Sequence, residues 1–319
     1  MLHSQHQRPQ HPQGHQRSVS SLSRRQLLQG SALVMCGMAR SAWGDEPVAA
    51  ETAAAAHDTL PQLRIGLMTD LHHADKQPMG TRHYRETIPK LTEAVQKLNE
   101  SQVDLTVELG DLIDSTDSLE DELLALDAIQ AEFTKVQNDR HYVLGNHCVH
   151  LLEKSEFLDR TSRREPHYAF DHGDHHFVIL DACYRHDMEP YGRKNFEWND
   201  SNIPTAEIDW LRQDLKSAAK PTVIFVHQRL DLDPPNHYAI KQSAAIREVL
   251  EQSRQVVAVL QGHSHKNEHQ ELNGIHYCTL RAMVEGSGES SNGYAILDLF
   301  ADGSLKLHGF RDQSTHDWK

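Results

Sequence analysis

Short apolar runs alternate with longer amphipathic segments from residue 63 to about residue 310. Short uninterrupted apolar runs are typical of buried strands. Apolar positions spaced three and four residues apart are typical of helices packed on a sheet. Five such strands are predicted, at residues 63–68, in the run that ends at Leu109, and at 141–144, 222–226 and 256–260. The alternation with helices predicts an α/β fold.

Four amphipathic helices and two hairpins are predicted between and after these strands. The helices carry the stripe Ile88, Leu91, Val95 and Leu98, follow Ser118 as an N-cap, start at Thr205, and cover residues 240–251. The hairpins join 167–170 to 176–180 and 294–299 to 304–309. The polar stretch 184–204 is too irregular for a regular element, and long loops of this kind often serve as lids.

Each of the five strands is followed by side chains that can bind a metal ion. In chain order these are Asp70 and His72, Asp111, Asn146 and His147, His227, and His263 and His265. In open α/β sheets, chemistry gathers at the carboxyl ends of the strands, so these side chains are expected to converge.

Composition narrows the class of protein. The 319 residues are 38% hydrophobic and 24% charged, which is typical of a soluble globular protein. We predict one domain over residues 62–319. The net charge of -14 argues against binding to a nucleic-acid duplex, whose phosphates require a basic surface. Cys148, Cys183 and Cys278 have neither disulfide-framework nor zinc-knuckle spacing.

The first 44 residues are predicted to be a leader that lies outside the folded domain. A disordered, His- and Gln-rich tail precedes Arg24-Arg25 and a short apolar run at 31–39, which resembles a twin-arginine export signal. The run is too short to span a bilayer, so no transmembrane span is expected, and residues 45–61 predict a linker. The localisation expected is periplasmic or extracellular. The alternatives are a surface helix with a basic start and a lipoprotein anchored at Cys36.

Taken in order, the motifs D-x-H, GD-x-x-D, GNH, H and GH-x-H resemble those of the calcineurin-like metallophosphoesterases, over roughly residues 63–310. The resemblance implies a four-layer αββα sandwich of two mixed sheets flanked by helices, with two metal ions at the strand ends. One ion would be bound by Asp70, His72 and His265, the other by Asn146, His227 and His263, with Asp111 shared and His147 as a catalytic residue. Asp114 is expected to brace the loop after Asp111.

The chemistry of phosphoric esters accounts for these residue types. An anionic phosphate and an anionic nucleophile both need cations, and coordination lowers the pKa of water to about 7, so a metal-bound hydroxide can attack at neutral pH. Imidazole, carboxylate and amide ligands together suit Mn, Fe or Zn. The sequence therefore predicts an exported, dimetal-dependent phosphoesterase acting on a small phosphorylated substrate.

Position 148 departs from the pattern of the family, which often has Asp or Glu after Gly-Asn-His. With Cys148 there, we expect His147 to lack an orienting carboxylate and the enzyme to prefer good leaving groups, such as the phosphate of a nucleotide diphosphate. Residues 109–114, 177–182 and 274–280 also resemble the manganese-dependent ADP-ribose/CDP-alcohol diphosphatase branch. The alternatives are a phosphomonoesterase and a non-catalytic protein that binds metal or phosphate.

Overall fold

The computed structural model describes residues 60–319. The predicted tail and signal at 1–44 and most of the predicted linker at 45–61 lie outside the described residues.

Twelve strands and five α-helices follow one another along the described chain. They are β1 (Leu63–Met68), α1 (Thr87–Glu100), β2 (Leu105–Glu108), α2 (Leu119–Phe133), β3 (Asp139–Tyr142), α3 (Lys154–Thr161), β4 (Tyr168–His172), β5 (His175–Ile179), α4 (Thr205–Ala218), β6 (Thr222–Phe225), α5 (Ser243–Ser253), β7 (Val256–Gln261), β8 (Glu268–Leu272), β9 (Ile275–Thr279), β10 (Gly293–Leu299), β11 (Leu305–Arg311) and β12 (His316–Trp318).

The strands form two six-stranded mixed sheets. The first has the order β12-β11-β10-β1-β2-β3, with β1, β2 and β3 parallel and β10 antiparallel to β1. The second has the order β4-β5-β6-β7-β9-β8, with β5, β6, β7 and β9 parallel. The candidate ligands follow β1, β2 and β3 of the first sheet and β6 and β7 of the second, and these strands are parallel within their sheets. Their carboxyl ends therefore lie at the same end of the sandwich.

The two sheets pack face to face, and helices cover both outer faces. Leu67 and Val107 of the first sheet lie in one core cluster with Phe225 and Leu260 of the second. Helices α1, α2 and α3 pack on the first sheet, and α4 and α5 pack on the second. This is the predicted αββα sandwich, and the fold class is confirmed.

Local sequence accounts for most element boundaries. Ser118 caps α2 as predicted, because its side chain accepts a hydrogen bond from the Asp121 N–H at 3.1 Å. The helix predicted to begin at residue 240 begins at Ser243 instead. Ile240 donates its N–H to the Arg229 carbonyl at 3.0 Å, so this residue is tied to the loop after β6 and the helix begins only beyond it.

The sequence prediction missed one helix, α3, and three strands, β8, β9 and β12. Helix α3 has eight residues and buries only Phe157 and Thr161, too few positions to give a periodic signal. Strand β8 is a polar edge strand, and β12 has three residues. Within residues 60–319, no helix is long and apolar enough to cross a membrane.

Candidate metal centre

The loops that follow β1 and β2 run side by side beyond the sheet. The Asp70 N–H donates to the Gly110 carbonyl at 2.9 Å, and the His72 N–H donates to the Asp111 carbonyl at 2.8 Å. In the second sheet, Gly262 donates to the carbonyl of His227 at 3.0 Å. These backbone contacts fix the positions of the side chains at the strand ends.

Five of the seven candidate ligands have a left-handed backbone conformation. Their φ angles are 51° for Asp70, 46° for His72, 58° for Asp111, 71° for His263 and 61° for His265. Non-glycine residues rarely adopt this region, and each instance costs on the order of 1–3 kcal/mol unless the surroundings impose it. The concentration of such residues at one edge of the sandwich marks a functional site.

Two glycines of the motifs are needed for close approach. A Cβ on Gly145 would lie 2.2 Å from Asp111 Oδ1, and a Cβ on Gly262 would lie 2.6 Å from Asp70 Oδ2. Both contacts are impossible for a real side chain, so glycine is the residue that lets the strand-end loops meet the two carboxylates.

Asp70, His72 and His265 form a first cluster. The His72 Nε2 lies 3.1 Å from the His265 Nε2 and 3.5 Å from Asp70 Oδ1, and the His265 Nε2 lies 3.4 Å from the same oxygen. Three ligand atoms thus surround one point, and all three residues are buried or nearly so.

Asp111, His227 and His263 form a second cluster. The Asp111 Oδ2 lies 3.1 Å from the Nε2 of His227 and 3.4 Å from the Nε2 of His72. This oxygen therefore stands between the two clusters, the position that a shared ligand requires. Asn146 lines the same cavity as Asp111 and His263.

Four of the candidate ligand atoms are buried and have no hydrogen-bond partner within residues 60–319: Asp70 Oδ1, Asn146 Oδ1, His227 Nε2 and His263 Nε2. An unpaired buried polar group costs about 1–3 kcal/mol. A cation that binds these atoms removes that cost, so the residues present fit a metal centre.

In three of the four candidate ligand histidines, the ring nitrogen on the far side from the centre has a partner. The His72 Nδ1 contacts Asp114 Oδ1 at 3.0 Å, the His265 Nδ1 contacts Glu285 Oε1 at 2.7 Å, and the His227 Nδ1 contacts the Leu109 carbonyl at 2.9 Å. Such partners fix the tautomer and aim Nε2 at the centre. The GD-x-x-D spacing offered a signal for Asp114, whereas no sequence pattern pointed to Glu285.

The electrostatic field of the centre favours positive charge. Burial disfavours a charged His72, but Asp111, Asp114 and Asp70 outweigh it and raise the pKa of His72 to about 10. Burial likewise opposes ionisation of Asp111, yet His227, His147 and His72 hold its pKa below the usual range. By contrast, burial and the charge of His227 lower the pKa of His263 to about 3, which leaves a neutral imidazole, the form that binds metal.

The prediction that His147 lacks an orienting carboxylate is wrong. The His147 Nδ1 lies 2.7 Å from Asp114 Oδ1 and 2.9 Å from the Ser115 hydroxyl. Asp114 therefore supplies the carboxylate that position 148 does not. Cys148 is fully buried in the core, where its Sγ accepts a hydrogen bond from the Leu112 N–H at 3.3 Å.

A cavity of about 780 Å³ opens over the two clusters. Residues 196–199 of the irregular stretch 184–204 form part of its wall. Other side chains that line it include Arg82, His147, His150 and Tyr238.

Comparison with known proteins identifies the family. Residues 63–267 match the family described as calcineurin-like phosphoesterase. The chain belongs to the calcineurin-like phosphoesterases. It is therefore a metal-dependent phosphoric-ester hydrolase, as the motifs predicted.

Two curated relatives of this calcineurin-like phosphoesterase are plant proteins, each named a manganese-dependent ADP-ribose/CDP-alcohol diphosphatase. The protein from Oryza sativa subsp. japonica is 22% identical over 271 residues, which cover 70% of this chain and 84% of the relative. The protein from Arabidopsis thaliana is 23% identical over 304 residues, covering 80% and 96%. A solved structure of a dimetal phosphatase from Danio rerio superposes with a TM-score of 0.70 at 21% identity, covering 81% of this chain and 100% of that one. It shares the fold.

Proposed function

We propose that this calcineurin-like phosphoesterase hydrolyses the diphosphate bond of small nucleotide diphosphates at a centre of two divalent cations. The observation that carries the proposal is the convergence of four buried, unpaired ligand atoms at the strand ends. The names of the two plant relatives support the choice of bond and of manganese as one suitable ion.

The chain offers a ligand set for each ion. Asp70, His72 and His265 would hold one, and Asn146, His227 and His263 the other, with Asp111 shared between them. Two cations of this kind neutralise phosphoryl oxygens and generate a nucleophile from water near neutral pH.

His147 is the residue best placed to move a proton. Its Nδ1 is occupied by Asp114 and Ser115, which leaves Nε2 as the nitrogen available to the cavity that the ring lines. A histidine held in this way can protonate the oxygen of the departing group, a step that typically contributes about 10²–10⁴-fold to the rate. Asp114 acts by fixing the orientation of the ring.

The wall of the cavity suits a nucleotide. The ring centroids of Trp198 and Tyr238 lie 5.6 Å apart, and Trp198 is 46% exposed, so an aromatic face is available to a base. Stacking of a base on an aromatic ring contributes about 1–3 kcal/mol. Arg82 lines the same cavity and supplies a positive charge for a second phosphate.

Turnover of a substrate panel with Mn²⁺ tests the proposal. We expect kcat/KM for ADP-ribose and CDP-alcohols to exceed that for p-nitrophenyl phosphate and its bis ester by about tenfold or more. A preference for p-nitrophenyl phosphate would identify a phosphomonoesterase. Absence of turnover with every member of the panel would favour the non-catalytic alternative.

We also propose that the protein is exported, on the resemblance of residues 1–44 to a twin-arginine signal. Changing both Arg24 and Arg25 to Lys preserves charge but removes the arginine pair. The doubly substituted protein is expected to stay in the cytoplasm, measured by cell fractionation. Export at the wild-type level would contradict this route.

A further inference from the structure

A second histidine of the cavity wall is held by a buried carboxylate. His150 directly follows the short 3₁₀ turn His147–Val149, and the side chains of His147 and His150 both line the cavity over the metal centre. The His150 Nδ1 lies 2.8 Å from Glu122 Oε1, and Glu122 is completely buried. The side chain of His150 is 21% exposed, so the ring reaches the cavity from a fixed base.

The other partners of Glu122 decide which nitrogen of His150 carries the hydrogen. Oε2 accepts from the N–H groups of Leu151 and Leu152 at 2.9 and 3.1 Å, and Oε1 accepts from the Thr116 N–H at 3.3 Å. Because backbone N–H groups only donate, both oxygens of Glu122 are acceptors, and the His150 Nδ1 donates to Oε1. In the neutral ring, Nε2 then has the lone pair and accepts hydrogen bonds. Nε2 makes no hydrogen bond within the part of the chain that the structure describes.

Residues 196–199 contact the cavity wall at two places. The ring centroid of Trp198 lies 6.1 Å from that of His263 at the metal centre. Phe196 lies against His150 instead, with ring centroids 6.0 Å apart and an interplanar angle of 88°. The His150 carbonyl also accepts the Lys194 N–H at 2.7 Å, which anchors this stretch of chain. His150 therefore belongs to a different part of the wall from Trp198.

We propose that the His150 Nε2 accepts a hydrogen bond from a hydroxyl group on the second arm of the substrate, an inference that rests on the proposed function. The second arm is the group that the diphosphate joins to the nucleotide. With the base at Trp198 and Tyr238 and the diphosphate at the metal centre, this arm is left for the wall that His147 and His150 share. An acceptor there selects a hydroxylated arm, such as a sugar or a polyol, over an alkyl arm.

A pair of substrates isolates the hydroxyl contact. CDP-glycerol and CDP-propanol share the nucleotide and the diphosphate, and they differ only in the hydroxyl groups of the second arm. With Mn²⁺, we expect the wild-type kcat/KM to be about tenfold higher for CDP-glycerol, mainly through KM, because the contact forms on binding and persists during the reaction. Equal values for the two substrates would overturn the inference alone. Absence of turnover with both would overturn the proposed function and the inference with it.

Two substitutions separate substrate binding from support of the fold. His150→Asn keeps an amide N–H close to Glu122 but removes the acceptor at the Nε2 position, whereas His150→Gln brings an amide oxygen near that position. We expect His150→Asn to abolish most of the preference for CDP-glycerol and His150→Gln to retain part of it. The preference is a ratio measured within one protein preparation, so partial loss of folded enzyme does not change it.

His186→Asn is the matched control, the same change at an exposed histidine that does not line this cavity. The His186 Nδ1 also has a carboxylate partner, Asp200 Oδ2, at 3.1 Å. The variant is expected to keep the wild-type preference for CDP-glycerol. A His150→Asn protein with that same preference would limit His150 to a structural contact with Glu122 and overturn the inference.

Discussion

The two carboxylate oxygens of Asp111 have different environments. Oδ1 accepts a hydrogen bond from the His147 N–H at 2.8 Å, while Oδ2 faces the Nε2 atoms of His72 and His227. Asp111→Asn removes the charge and turns one oxygen into a donor, so both clusters lose their common ligand. We expect bound metal to fall below two ions per chain and kcat to fall by about a hundredfold or more, measured by metal analysis and Mn²⁺-dependent turnover.

A matched control for Asp111→Asn is Asp139→Asn, the same chemical change at an exposed position where β3 begins. It is expected to leave both metal content and turnover at the wild-type level. Two ions retained by Asp111→Asn, with normal turnover, would remove Asp111 from the shared position.

His147→Ala tests proton donation through the leaving group. If His147 protonates the departing oxygen, its loss slows alkoxide leaving groups much more than nitrophenolate, on the scale of 10²–10⁴-fold for general acid catalysis. Asp114→Asn is expected to shift the same series in the same direction by a smaller factor. A leaving-group series on each variant measures this, and an equal loss for every substrate would make His147 a phosphoryl-binding residue.

At the level of single residues, the sequence identified the candidate ligands in the motifs but not the hydrogen-bond partners that orient them. The seven candidate ligands follow strands and recur in a fixed order, so both pattern and resemblance reveal them. Glu285 reaches His265 only because a loop far along the chain folds back, and no local spacing encodes that. The error about His147 has the same origin, since its carboxylate comes from position 114 and not from the neighbouring residue.

Among the elements, those with apolar periodicity were predictable and those defined by tertiary contacts were not. β1 and the N-cap of α2 lie where the pattern placed them. β8 alternates half-buried and exposed positions and is polar except for Leu272, and it is a strand because β9 pairs with it. Pairing of that kind depends on the partner strand more than on intrinsic propensity.

Helix α1 supports the metal centre through the buried ammonium group of Lys90. The Lys90 Nζ donates to the carbonyls of Met283, Glu285 and Gly286 at 2.9, 3.0 and 2.8 Å. Lys90→Met frees the loop that carries Glu285, and with it the orientation of His265. We expect the free energy of unfolding to fall by roughly 3 kcal/mol, since each hydrogen bond to a charged group contributes about 1.5–3 kcal/mol and the loss is partly offset because no ammonium has to be buried. Mn²⁺ affinity is expected to fall by about tenfold.

Lys97→Met, on the same helix, is the control, because Lys97 lies over the Phe310 ring at 5.3 Å and does not reach that loop. It is expected to leave Mn²⁺ affinity unchanged. Chemical denaturation and calorimetric titration measure the two quantities, and a Lys90→Met protein that is less stable but binds Mn²⁺ normally would limit Lys90 to a role in folding stability.

At the scale of the whole molecule, His141 couples the packing of the two sheets to pH. Its ring, on β3, stacks on Phe170 of β4 with centroids 3.8 Å apart and is 8% exposed. Burial, with the charge of Arg163, lowers the pKa of His141 to about 3. Between that value and the unfolded pKa of about 6.5, the unfolded chain binds the extra proton, so this contribution to stability is complete above pH 6.5 and is lost as the pH falls.

We expect wild type to lose roughly 2 kcal/mol more than His141→Gln between pH 7 and pH 5, from the linkage of one neutral buried histidine. Urea unfolding at both pH values measures it, with His175→Gln as a second histidine variant on the second sheet. Parallel pH profiles for wild type and His141→Gln would show that the native ring takes up a proton without cost.

The antiparallel pairing of β1 with β10 sets the order in which this molecule can assemble. Leu63 pairs with Leu299 and Leu67 pairs with Ala295. β1, the first strand in the chain, therefore cannot complete its pairing until β10, near the end of the domain, has been synthesised. Pairings this distant along the chain slow folding and keep intermediates open to aggregation. The Met283 N–H also donates to the Thr69 carbonyl beside Asp70. During synthesis, the first ligand loop therefore leaves the ribosome long before its supports exist, and the centre forms only after nearly the whole domain has been released.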